Sequence, residues 1–332
     1  MRNLIKYLAS CAAGAGLMMA SAAQADEPVN WTLGSFIQGS SWYVYGVNIG
    51  EVLREALPEG STVDTPPIAG GTGNPLLVST GKANLALGIA TVNTWATEGK
   101  HAYEEPLTGL RALLGGLDQY YLLPVADGEN PADLKAMLEA KPKARVVLLR
   151  KGSLGSLGGQ QMLGLVGAGE DELAAAGGSY EFGSFDMVKS RFASDTADVF
   201  IQVVTVGHPA ITEMGQTQKM TYLQPSQETL DEMTSTYGWS QATLPAGTFP
   251  GQDKELKLPG STTMLFTSED MSEDHAYLVV KTICENTAKL QAAHNALKNF
   301  DCEAGEVWRE EVNGIALHEG AKKYFKERGW IE

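Results

Sequence analysis

The chain has 332 residues and a formal net charge of −15, with 43% hydrophobic and 20% charged residues. That length is enough for two α/β lobes, each with a core of its own. The acidic balance excludes nucleic acid and anionic membrane surfaces as expected partners, yet leaves room for an anionic ligand, because local dipoles decide what a pocket holds.

Residues 1–25 read as a signal peptide. Arg2 and Lys6 precede an apolar run over 8–20, and Ala23-Gln24-Ala25 is a small-residue cleavage signal before Asp26. The box Leu8-Ala9-Ser10-Cys11 resembles a lipoprotein signal, but almost no hydrophobic stretch separates Lys6 from Cys11. Cleavage removes two positive charges and no acid, taking −15 to −17. No later stretch approaches the ~18 consecutive apolar residues of a membrane span. The mature chain is therefore expected to be an exported, periplasmic protein.

The first strand covers 31–36 and leads through Gln38-Gly39-Ser40-Ser41 into a helix over 42 to about 57, stopped by Pro58. Tyr45, Ile49, Val52, Leu53 and Ala56 give that helix one apolar face. Ser40 or Ser41 suits its cap, and Trp42 and Tyr43 fall in its first turn. An extended segment over 61–68 feeds the loop Gly70-Gly71-Thr72-Gly73, where glycine allows a sharp turn and a close backbone approach. Asn74 is then expected as a cap, with Pro75 at the first helical position. The apolar strand 84–90 runs into Thr91-Val92-Asn93, with Asn93 expected to cap another helix.

Residues 110–125 read as strand, turn, strand, and mark a crossing between lobes. A short helix is expected over 131–139 with Asn130 as its cap. Arg145-Val146-Val147-Leu148-Leu149 is a buried strand by composition. It runs into Arg150-Lys151-Gly152-Ser153-Leu154-Gly155-Ser156-Leu157-Gly158-Gly159, read as loop, before a helix over 160–165. A short helix is expected over 185–192 and a strand over 197–204 that contains Gln202. His208 stands as a possible cap before Pro209, and another strand follows over 220–223. Residues 244–251 read as a rigid extended connector, 262–267 as a β-rich run, and Ser272 as the cap of a long helix through Cys284. Helical segments fill the remainder.

Four loops thus combine small residues with a following helix N-terminus. Such ends present free N–H groups and partial positive charge, and suit a carboxylate. Arg150 and Lys151 add cations beside the last of them. Cys284 and Cys302 lie 18 residues apart. In an oxidising compartment they most simply pair, closing a loop that contributes roughly 3 kcal/mol in the chain-entropy model. Two separate buried thiols remain the alternative.

Other chemistries find no motif. Gly71-Thr72-Gly73 has Leu76 where a dinucleotide loop needs its third glycine. There is no phosphate-binding Gly-x4-Gly-Lys, no G-x-S-x-G elbow, and no metal-ligand spacing among the five histidines. No cofactor or metal is expected, and the chain does not read as an enzyme, although scattered catalytic residues would leave no such trace.

The segments GSSWYVYGVNIGEVL, AGGTGNPLLVSTGKANLALGIATVNTW, KGSLGSLGG, PAGTFPGQD and LHEGAKKYFKERG together resemble the TAXI family. These are solute-binding subunits of tripartite ATP-independent periplasmic (TRAP) transporters. The resemblance implies a two-lobed class II periplasmic-binding-protein-like fold with a hinged cleft, and delivery of a small organic anion to a TRAP permease. The expected division is 26–119 and 250–332 in one lobe and 120–249 in the other, in a monomer. Carried over by motif, the ligand-binding residues are Ser40, Ser41, Trp42, Tyr43, Thr72, Gly73, Asn74, Asn93, Ser153, Gly155 and Ser156. Arg150, Gln202 and His208 join them as candidates from the second lobe. Asn93 stands where an aspartate is common and Leu154 where a proline is common, so the solute is not assumed to be glutamate or glutamine; a dicarboxylate or oxo-acid fits as well. A ligand sensor presenting its solute to a receptor, or an enzyme on the same scaffold, are the rival readings.

Overall fold

The computed structural model describes residues 27–68 and 70–332, so the leader and its Cys11 lie outside the described residues. The chain begins β1 (Asn30–Gly34), α1 (Ser41–Ala56), β2 (Thr62–Asp64), α2 (Asn74–Ser79), β3 (Leu85–Ile89), α3 (Ala90–Glu98), β4 (Leu110–Leu114) and β5 (Gln119–Asp127). It continues α4 (Leu134–Ala140), β6 (Arg145–Leu149), α5 (Leu154–Leu165), α6 (Glu170–Ala176), β7 (Ser179–Gly183), α7 (Phe185–Ala193) and β8 (Val199–Val204). After α8 (Pro209–Thr217), β9 (Met220–Tyr222), α9 (Gln227–Tyr237), β10 (Ser240–Leu244) and β11 (Leu256–Ser268), the chain ends in helices. Of these, α10 (Glu273–Glu285) carries Cys284, which is disulfide-bonded to Cys302.

Strands β2, β1 and β3 are parallel neighbours, as are β7, β6 and β8. The long strand β11 joins the two groups. Its Thr263 to Thr267 stretch pairs antiparallel with β3, while Gly260 to Thr262 pairs antiparallel with β5. Along β5 the period of two is visible in packing. Tyr120, Leu122 and Ala126 enter the large core, whereas Tyr121, Leu123 and Val125 enter a second core on the opposite face.

Several local expectations need correction. The α5 helix starts at Leu154, six residues earlier than its glycines suggested. Ser153 caps it, its Oγ accepting from the Ser156 N–H. The glycines are there for close packing: a Cβ on Gly158 would lie 3.0 Å from Leu122 and Trp239, and one on Gly159 would lie 3.0 Å from Leu148. The α4 cap is Asp133 rather than Asn130. The stretch 244–251 is a compact turn between antiparallel β10 and β11, closed by Gln252, and not an extended connector. His208 does occupy the position before Pro209, but its side chain makes no capping bond.

Candidate functional site

Two loops 80 residues apart in the chain meet. Thr72 Oγ1 donates to the Gly152 carbonyl at 2.7 Å, and Gly71 packs directly against Leu154. Tyr103 braces the first loop from behind, its hydroxyl donating to the Thr72 carbonyl at 2.8 Å. Between the loops lies a cavity of about 250 Å³.

The first helix pointing at it is α1. Ser40 Oγ accepts from the Tyr43 N–H at 3.2 Å and donates to the Ile37 carbonyl at 2.7 Å. Trp42 follows at once and is held by its indole N–H donating to Thr263 Oγ1. The second is α5, with Ser153 and Gly155 on the cavity wall. Losing the Ser153 cap in a Ser153→Ala variant is expected to cost about 1 kcal/mol, read as a lower urea midpoint with an unchanged slope.

Of the sequence-derived candidates, Ser40, Trp42, Thr72, Gly73, Arg150, Ser153, Gly155, Gln202 and His208 line this cavity. The other five are placed elsewhere. Asn74 is fully buried behind the loop and is not a cap. Its Oδ1 accepts from the Gly70 N–H, and its Nδ2 donates to the Ser35 and Leu87 carbonyls. It therefore shapes the loop that faces the cavity. Ser156 Oγ donates to the Arg150 and Ser153 carbonyls and ties the second loop to its helix. Asn93 lies inside α3, which starts directly at Ala90, and its Nδ2 contacts Met264 Sδ. Ser41 is buried and Tyr43 half-buried in the first turn of α1, and neither lines the cavity.

The sequence reading missed Phe36, Ile89, Tyr120, Phe185 and Val203, which supply apolar wall. They come from distant segments, and nothing local in the sequence marks them. Trp42 and Tyr120 meet edge to face, with ring centroids 5.9 Å apart.

The polar wall is unevenly satisfied. Gln202 and His208 are only 4% and 3% exposed, yet Gln202 Oε1 and His208 Nδ1 have no hydrogen-bond partner among the described residues. Burial, with His294 nearby, pushes His208 down to about 4, so the ring is neutral at neutral pH. Lys151 is paired with Glu170 and lies over Phe182. Arg150 is exposed at the cavity mouth and has no carboxylate partner among the described residues. No metal-binding cluster occurs among them either.

The mixed sheet, its two strand groups and a ligand-sized cavity between their loops define a two-lobed periplasmic-binding-protein-like fold. The solved structures agree. Malate-bound MatC from Rhodopseudomonas palustris has a TM-score of 0.56 at 12% identity, covering 92% of this chain and 98% of that one. The periplasmic binding protein BugD has a TM-score of 0.52 at 18% identity, covering 91% and 97%. Residues 34–329 match the NMT1-like family, and the chain belongs to that family. No curated protein matches it.

Proposed function

We propose that the protein is an extracytoplasmic solute-binding subunit that captures a small carboxylate in this cavity. The carrying observation is the convergence itself: two capped helix N-termini and Arg150 line one space, with Gln202 and His208 on the same wall. Malate in the related MatC fold is consistent with it. The sequence motifs favour the TAXI type and delivery to a TRAP permease, with residues 1–25 as the leader that exports the chain. Among the described residues no helix is long and apolar enough to cross a membrane.

In this reading residues 26–119 with 250–332 form one lobe, and 120–249 the other. The change of partners within β11 at Thr262–Thr263 supports moving the second crossing from 250 into that strand. Ligand touching both lobes stabilises the closed form, because only there do both loops reach it. The protein binds and releases its solute without chemical turnover.

A thermal-shift screen of small carboxylates tests the capture reading, since a ligand at 100 times its Kd adds about 2.7 kcal/mol. A screen in which no carboxylate raises Tm sinks it. For any carboxylate that binds, Arg150→Gln is expected to weaken binding roughly tenfold and to flatten its salt dependence, as loss of one partly solvated charge contact would. Titration calorimetry at low and high salt reads both.

A further inference from the structure

The cavity has an asymmetry that narrows its ligand. Among the described residues no aspartate or glutamate lines it, while Arg150 and Lys151 do. Buried Asp118 is not part of the lining, and its Oδ2 accepts from the Tyr45 hydroxyl at 2.6 Å. An α-amino acid would therefore bring an ammonium into a space lined by no carboxylate, with Arg150 at its mouth and Lys151, paired with Glu170, beside it. Desolvating a charge without a partner is strongly unfavourable. The carboxylate end of the same ligand meets the opposite situation, with two helix N-termini and a guanidinium.

Beyond these groups and Thr72, Gln202 and His208, the wall is largely apolar. Phe36, Trp42, Tyr120 and Phe185 contribute rings, with Leu154 and Ile89 between them. The volume, about 250 Å³, equals roughly eight waters at ~30 Å³ each and suits a body on the order of ten non-hydrogen atoms. A second carboxylate at the ring-lined end would face Phe185 and neutral His208 rather than a cation. Gln202 and His208 line that wall as neutral polar side chains, and neither brings a charge to it. Rings can also hold a quaternary ammonium. Here Trp42 and Tyr120 meet edge to face rather than as parallel walls, and Arg150, unpaired among the described residues, opposes a positive guest.

Resting on the carboxylate-capture reading, the geometry points to a more specific guest: a monocarboxylate that lacks an amine and carries an apolar, ring-sized body. The carboxylate sits toward Ser40, Ser153 and Arg150, and the body toward Tyr120 and Phe185.

Calorimetric titration of the mature chain at pH 7.5 with five probes separates the outcomes. The probes are 3-phenylpropanoate, L-phenylalanine, 3-phenylpropanamide, malate and glycine betaine. The expected result is that 3-phenylpropanoate binds at least about 100-fold tighter than L-phenylalanine and tenfold or more tighter than malate, and that Arg150→Gln weakens it. L-Phenylalanine or glycine betaine binding as tightly as 3-phenylpropanoate overturns the exclusion of an amine but leaves carboxylate capture standing. Malate binding more tightly overturns the apolar body in the same way. If the amide equals 3-phenylpropanoate and malate does not bind, carboxylate capture itself fails and takes this inference with it. Absence of binding by 3-phenylpropanoate, or binding unaffected by Arg150→Gln, also overturns the inference.

Discussion

Gly71→Leu is expected to weaken ligand binding by at least about 100-fold, equivalent to ~2.7 kcal/mol, while the protein stays folded. Gly71 has a φ of +34°, and a Cβ there would stand 3.1 Å from Leu154 Cβ and 3.3 Å from its backbone nitrogen. Leu154 is the first residue of α5, so the contact is with helix backbone that cannot step aside. Any larger side chain at 71 props the two loops apart and stretches the bond from Thr72 to the Gly152 carbonyl. The closed form becomes a minor population, and apparent affinity falls by the fraction lost. Gly71→Ala needs a displacement of only a few tenths of an ångström, so its effect should be nearer tenfold. Both variants also carry the left-handed penalty of roughly 1–2 kcal/mol, which acts on open and closed forms alike. Calorimetry gives the affinity, and X-ray scattering with and without ligand gives the closure. Wild-type affinity together with wild-type compaction in Gly71→Leu would refute the idea that these loops must meet.

The same region shows how far the sequence alone reaches. The loops at 70–73 and 150–153 were legible because small residues before a helix serve few other purposes, although the second was read on to 159. Gln202 stands out as the one polar residue in the strand Val-Phe-Ile-Gln-Val-Val. Less legible was the division of labour within each loop. Asn74 and Thr72 look equally suited to a ligand, but three backbone partners claim Asn74. Ser156 and Ser153 differ in the same way, since Ser156 is consumed by two carbonyls. A polar side chain beside a glycine-rich turn is as useful for satisfying the turn's own backbone as for touching a guest. The glycines of α5 misled for a related reason: close approach of a helix to a strand needs the same residue as a loop does. Phe36, Tyr120 and Phe185 converge only through tertiary packing, which no local period encodes.

Two buried titratable groups near the cavity should give opposite pH dependences of stability that largely cancel in the wild type. Asp118 lies between β4 and β5, and its backbone carbonyl accepts from the Thr263 N–H of β11. Burial raises it from 3.8 to about 6, although Tyr45 donates to it. Between those values the native protein holds a proton that the unfolded chain has released. Raising the pH across the window therefore removes about 3 kcal/mol of stability. His208 runs the other way, lowered by burial from 6.5 to about 4. Here the unfolded chain takes up the proton first, so stability is full above 6.5 and falls by about 3 kcal/mol as the pH drops toward 4. Asp198, held at about 2 by Arg145 and Lys141 against the upward push of burial, loses its contribution only below this window. Removing either group should expose the other. His208→Gln is expected to be more stable at pH 4.5 than at pH 7, and Asp118→Asn more stable at pH 7 than at pH 4.5. Urea midpoints across pH 4 to 7.5 measure both slopes. Curves for the two variants that run parallel to the wild type would mean that water or a rearranged neighbour already solvates these groups. The dry surroundings that raise Asp118 and keep His208 uncharged would then not exist as described.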